Sequence, residues 1–217
     1  MQTFGWPEAM FIFRAAGWTL LLTVIAFAIG GVMGGALAIM RLSRIAPIRH
    51  FASAYILVIQ SIPVLMVLFM SYYGLSIIGI ELPPFFAASA SLAVYVSAYL
   101  AEIWRGSIQS VPFQQWEASA SLAHSPAQTY RYVILPQAVR ISLPPTVGFL
   151  VQLVKNTSIV SVVGFVELSR AGQLVNNATF QAFQVFSLVA VIYFAICFPL
   201  SRLSRHLEKV MNASRSH

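Results

Sequence analysis

Long stretches without charge constrain this chain more than any other feature. Gly17–Met40 is 24 residues with no charged side chain, and a helix needs about 20 apolar residues to cross a bilayer. Phe51–Ile80 is a second such run, broken in its middle by "QSIPV", and Leu82–Ala101 is a third, rich in Ser and Tyr. Ile141–Val166 is a fourth, uncharged except for Lys155, and Ala182–Leu200 is a fifth. The chain is 59% hydrophobic and only 9% charged, against about 25% charged in a soluble domain. The expected fold is an all-α membrane protein with five transmembrane helices in one domain.

Basic residues orient those spans, because Lys and Arg accumulate on the cytoplasmic side. Arg41, Arg44 and Arg49 lie between the first two runs; Arg105, Arg131 and Arg140 lie between the third and fourth; Arg202, Arg205, Lys209 and Arg215 follow the fifth. Only Arg14 and Arg170 fall on the opposite side, with Glu8, Glu81 and Glu167. This predicts an external N-terminus and a cytoplasmic C-terminus. Residues 1–16 are then an external segment, 17–205 the membrane domain with a cytoplasmic loop over 102–140, and 206–217 a cytoplasmic tail. The N-terminus has no basic leader or small-residue cleavage site, so no cleavable signal is expected.

Several chemistries are excluded. Aspartate is absent, and neither lysine, Lys155 or Lys209, follows a glycine, so there is no G-K-[ST] phosphate loop. One cysteine, Cys197, rules out an internal disulfide or a cysteine metal cage. His50, His124, His206 and His217 lack ligand spacing. No catalytic residue, metal or cofactor is expected in this chain, and the basic excess points to membrane topology and not to nucleic acid.

The segment from Glu117 to Arg140, "EASASLAHSPAQTYRYVILPQAVR", interrupts this pattern. A short helix is expected after Pro112, running towards Ala123. Ser125, Pro126 and Gln128 supply an N-cap, an early proline and a capping-box glutamine for a second helix, which Pro136 is expected to stop. Such a pair cannot bury its own apolar face. It needs a protein partner or lies on lipid headgroups.

These residues resemble the EAA loop of the membrane subunits of binding-protein-dependent, type I ATP-binding-cassette (ABC) importers. The family pattern is Glu-Ala-Ala, a glycine four residues later, then Ile-x-Leu-Pro after nine more. Here it reads Glu117-Ala118-Ser119, Ala123 and Val133-Ile134-Leu135-Pro136. Ala123 in place of glycine is expected to remodel the turn slightly, since a left-handed conformation costs a non-glycine residue about 1–2 kcal/mol. "SAYLAEIWRGSIQSVP", "LPQAVRISLPP" and "KNTSIVSVVGFVEL" are similar to the polar-amino-acid branch, and the likeness runs from Thr19 to Lys209.

The resemblance implies the type I importer transmembrane fold and a permease in the bacterial inner membrane. Its implied partners are a second permease subunit, identical or paralogous, two cytosolic ATPases that bind ATP and Mg, an external substrate-binding protein, lipid, and an amino-acid substrate. Glu117, Ala118, Ser119, Leu122, Ala123 and Pro136 would form the ATPase-coupling segment.

Lys155 would lie about 21 Å along a helix from Ile141, near mid-bilayer, where a lysine costs about 2.5–3.5 kcal/mol and should face protein or water. With Asn156, Thr157 and Ser158 it either lines the substrate path or is a structural lysine bonded to carbonyls. Ser91, Tyr95, Tyr99 and Glu102 follow helical spacing and either line the path or hydrogen-bond between helices; Glu102 can pair with Arg105 or gate the path. Gln60 and Ser61 are further path candidates, and Pro63 should kink the second span. Gly30, Gly31, Gly34 and Gly35 suit close helix packing. An ion-coupled secondary transporter of amino acids is the alternative function, but such proteins often carry internal repeats and intramembrane carboxylates, and none is evident here.

Overall fold

The computed structural model describes residues 3–77 and 79–213. Arg215 and His217 lie outside the described residues. Ten α-helices with intervening π and 3-10 turns make up the described chain, which contains no strand. They are α1 (Trp6–Arg41), α2 (Ala46–Ser61), α3 (Val64–Phe69), α4 (Leu75–Ile77), α5 (Pro84–Gln109), α6 (Phe113–Ser121), α7 (Pro126–Gln128), α8 (Leu135–Asn156), α9 (Leu168–Thr179) and α10 (Ala182–Ala213).

Among the described residues, four helical stretches are long and apolar enough to cross a membrane: Trp6–Arg41, Pro84–Gln109, Pro126–Val163 and Ala182–Met211. A fifth exists if α2 and the following Val64–Ile77 form one broken span, bent by 105°. The expected kink is therefore a full break. Ile62 is extended (φ −102, ψ 132), as the residue before a proline prefers, and Pro63 caps α3.

Two other boundaries differ from expectation. The first helix starts at Trp6, so most of residues 1–16 is helical. Pro136 does not stop a helix: α7, a π-helical stretch Thr129–Ile134 and α8 form one run. The reason is local. Proline is tolerated in the first turn of a helix, and the wide π turn before Leu135 resets the hydrogen-bond ladder so that Pro136 falls at such a position.

α5 is the most buried of the spans and organises the others. α1 lies against it through Gly30 and Gly34, where an added Cβ would meet Val96 Cβ at 2.6 Å and the Ser97 carbonyl oxygen at 2.9 Å. That confirms close packing at the glycine pairs. α2 joins α5 through the Tyr55 and Ser97 hydroxyls, 2.9 Å apart. α8 stacks Phe149 on Tyr99 with ring centroids 5.3 Å apart, and α10 reaches α8 through the Ser204 hydroxyl, which donates to the Pro144 carbonyl at 2.9 Å. A second core packs Ile12 of α1, Leu168 and Ala171 of α9 and Val185 of α10 together.

Candidate functional site

Two regions carry the polar residues singled out above, at opposite ends of the helical run through α8. The first is the segment around α6. Ser125 accepts from the Gln128 amide while the Gln128 side chain accepts from the Ser125 amide, at 3.4 and 2.8 Å, forming the expected capping box. The Ser119 hydroxyl lies 2.8 Å from that of Thr129 and 3.1 Å from His124 Nδ1. Trp116 packs edge-on against Tyr130 at 5.2 Å, and Val111, Ile134 and Ala138 form a small buried core beneath them. α6 is thus pinned to the π-helical stretch that leads into α8.

This arrangement sorts the coupling candidates. Ser119 is buried and turned inward, its hydroxyl holding the loop together. Glu117, Ala118 and Ala123 are exposed, Leu122 is 72% exposed and Phe113 71%. Pro136 is also exposed. Ala123 itself adopts the left-handed conformation, with φ 54, although it is not glycine. Thr129 and His124 were not anticipated as fasteners of this turn. The only signal for them is the Ser and Thr ten residues apart, which a helical wheel does not bring together across a turn.

The second region is the far end of α8. Asn156 is buried, and its Nδ2 has no hydrogen-bond partner among the described residues. Its Oδ1 accepts from Gln152 Nε2 at 3.1 Å, and Tyr95 is its neighbour on α5. Tyr95 and Tyr99 lie with ring centroids 4.5 Å apart, and Phe149 completes the aromatic wall. Lys155 is exposed and points to the other side of α8, towards Cys197 of α10. It sits in the last turn of α8, which ends at Asn156 and passes into the 3-10 turn Thr157–Val163. Lys155 is therefore not in the middle of a regular helix. Thr157 and Ser158 bond back to the carbonyls of Val154 and Lys155, both at 2.7 Å.

Ser91, Glu102 and Gln60 have structural partners. Ser91 donates to its own helix at the Ala87 carbonyl, not to another helix. Glu102 accepts from Arg41 Nε at 3.2 Å and from Arg105 Nη2 at 2.6 Å, tying the end of α1 to α5. The Gln60 amide donates to the Ala98 carbonyl of α5 at 3.3 Å, and Ser61 is exposed beside it. Among the described residues no three His, Cys, Asp or Glu side chains converge as a metal site.

The match to a family model decides the identity. Residues 28–212 match the binding-protein-dependent transport system inner membrane component. The chain belongs to that family. Its relatives include the probable glutamine ABC transporter permease protein GlnM of Bacillus subtilis (strain 168), 39% identical over 196 residues covering 90% of this chain and 91% of that one. The L-cystine transport system permease protein TcyB of the same organism is 35% identical over 193 residues, covering 88% and 82%. A crystal structure of an amino acid ABC transporter with histidines superposes with a TM-score of 0.88 at 38% identity, covering 92% of this chain and 93% of that one. The chain is accordingly an inner-membrane, multi-pass transport permease of the ABC importer family and not an enzyme family member.

Proposed function

We propose that this chain forms the membrane path of an ATP-driven amino-acid importer and couples it to cytosolic ATPases through α6. The observation that carries this reading is the placement of α6. It stands outside every span, pinned on one side to the α8 run, with Glu117, Ala118, Leu122 and Ala123 exposed on the other. The exposed Leu122 beside small Ala118 and Ala123 leaves room for a partner to approach closely, with Glu117 free to accept a hydrogen bond from it.

In this reading two ATPases hold ATP and Mg and grip that edge, a second permease (identical or paralogous) completes the path, and an external binding protein delivers the substrate. The N-terminus faces outside and the C-terminus the cytosol, supported by the basic residues at the α6 end of the molecule. Residues 17–205 are the membrane domain, with the coupling loop within 102–140 as its cytoplasmic part. Closure of the ATPases displaces α6. The Ser119–Thr129 and Trp116–Tyr130 contacts carry the displacement into the π-helical stretch, and α8 carries it to Lys155 and Asn156.

At that end the Asn156 side chain and the Tyr95 hydroxyl beside it offer neutral hydrogen bonds to a substrate, while Lys155, on the other face of α8, offers an ammonium to a carboxylate only on that side. Glutamine and L-cystine in the relatives' names are zwitterions with uncharged or balanced side chains, which neutral hydrogen-bonding groups suit. The test is ATP-dependent uptake of labelled neutral, cationic and anionic amino acids into liposomes holding this chain, its ATPase and its binding protein. Uptake needing ATP and the binding protein is expected. Uptake driven by an ion gradient without ATP would establish an ion-coupled carrier instead.

A further inference from the structure

An apolar groove of about 490 Å³ opens between α1, α5 and α8, on the side of α8 facing away from Lys155. Gly35 and Ile39 of α1, Trp104 of α5, and Leu135, Val139 and Leu143 of α8 lie along it. Ile39, Val139 and Leu143 are exposed there. Two of its lining residues carry hydroxyls, and both are engaged: Ser142 donates to the Val139 carbonyl at 2.8 Å, and Thr146 accepts from Trp104 Nε1 at 3.2 Å.

This lining selects its occupant. An extended peptide would bury backbone N–H and C=O groups against hydrocarbon, which is unfavourable for each polar group left unpaired. A hydrocarbon chain has no such groups. Basic residues stand close in sequence to Ile39 and Leu135, at one end of the groove. Arg44 lies just beyond the end of α1, and Arg131 stands four residues before Leu135; both are exposed. Among the described residues the salt bridges join only Arg41 and Arg105 to Glu102, so Arg44 and Arg131 have no carboxylate partner. An apolar cleft between membrane-spanning helices, with basic residues close in sequence to one end, suits a phospholipid chain with its anionic headgroup towards those residues.

We propose that this groove holds an acyl chain of an anionic membrane phospholipid, with its phosphate at the Arg44–Arg131 end. The placement of that end at the cytosolic leaflet rests on the orientation proposed above. The lipid would fill the space between three spans and support α8 on the side opposite Lys155, next to the run that α6 moves.

The experiment is native mass spectrometry of the full chain purified in detergent and titrated with phosphatidylglycerol or phosphatidylcholine. The unaltered chain should retain one phosphatidylglycerol more tightly than phosphatidylcholine. Val139→Trp, at an exposed groove wall, should lose that lipid or bind it about tenfold more weakly while staying monodisperse and helical. Leu143→Trp gives an independent second block. The double variant Arg44→Gln/Arg131→Gln should erase the preference for phosphatidylglycerol while still accepting lipid. Unchanged lipid retention in both Trp variants overturns the proposal. So does a cross-link from a cysteine at position 139 to a second permease, which would make this face a protein interface. Lipid retention is measured without transport, so failure of the importer reading would not be confused with failure of this one.

Discussion

The hydroxyl of Tyr193 in α10 donates to Oε2 of Glu167 at 3.0 Å. That carboxylate is fully buried, caps α9 by accepting from the Ser169 and Arg170 amides, and accepts from Thr19 of α1 at 3.4 Å. One side chain thus joins α1, α9 and α10 at the far end of the molecule from α6.

Burial raises the Glu167 pKa above the ordinary glutamate value, outweighing the hydrogen bonds from Ser169, Arg170, Tyr193 and Thr19 that lower it. The folded state therefore holds a proton more tightly than the unfolded chain. The associated stability is fully present below the ordinary glutamate pKa and is lost as pH rises through the raised folded value. Thermal unfolding in detergent should show a midpoint that falls over that interval, and Glu167→Gln should flatten the dependence. Tyr193→Phe should lower stability by about 1–3 kcal/mol. A pH profile identical in Glu167→Gln and the unaltered chain would refute this.

Gly30 should not tolerate a side chain. Its Cβ would lie 2.6 Å from Val96 Cβ and 2.7 Å from the Ala93 carbonyl oxygen, so α1 and α5 would have to separate. Gly30→Val is expected to abolish stable insertion or purification, whereas Gly31→Ala, with its nearest contact at 3.7 Å, should express normally. Equal yields of the two variants would show that this contact does not hold the fold.

Ala123 holds φ 54, a strained region for an L side chain. Ala123→Gly relieves strain of about 1–2 kcal/mol, partly offset by the greater freedom of glycine in the unfolded chain. It should leave ATP-driven uptake intact. Ala123→Asp puts a carboxylate on the exposed edge of the turn and should abolish co-purification with the ATPase, or the coupling of hydrolysis to uptake, without affecting insertion. Normal uptake by the Asp variant would remove α6 from the coupling role.

Lys155 and Asn156 lie on different faces of α8, so their variants should separate. Lys155→Met should sharply reduce uptake of all amino acids while basal ATP hydrolysis persists, because it removes attraction for the common carboxylate. Asn156→Leu should change the ranking among substrates, because it removes the buried amide beside Tyr95. Transport unchanged in both variants would place the path elsewhere.

Topology can be tested directly. Reporter fusions after Arg49, after Gln128 and at the C-terminus should report cytoplasm, and one after Asn177 the outside. A cytoplasmic Asn177 would contradict five spans.

Features governed by adjacent residues were legible without the fold. Uncharged runs locate the spans because hydrocarbon penalises charge over a whole segment. Pro63 breaks the second span, and Ser125 with Gln128 starts a helix, through contacts within four residues. The exposed edge of α6 was readable as a motif for the same reason. Side-chain destination was not. Successive helical residues point about 100° apart, so Lys155 and Asn156 part company according to which neighbours α8 meets, and only packing against α5 and α10 decides that. Ser119 looked like part of the docking edge until the folded turn brought Thr129 beneath it. Glu167 looked like one more external charge. Its burial follows from the meeting of Thr19 and Tyr193, residues 148 and 26 positions away, and no local pattern encodes an encounter between such distant parts of the chain.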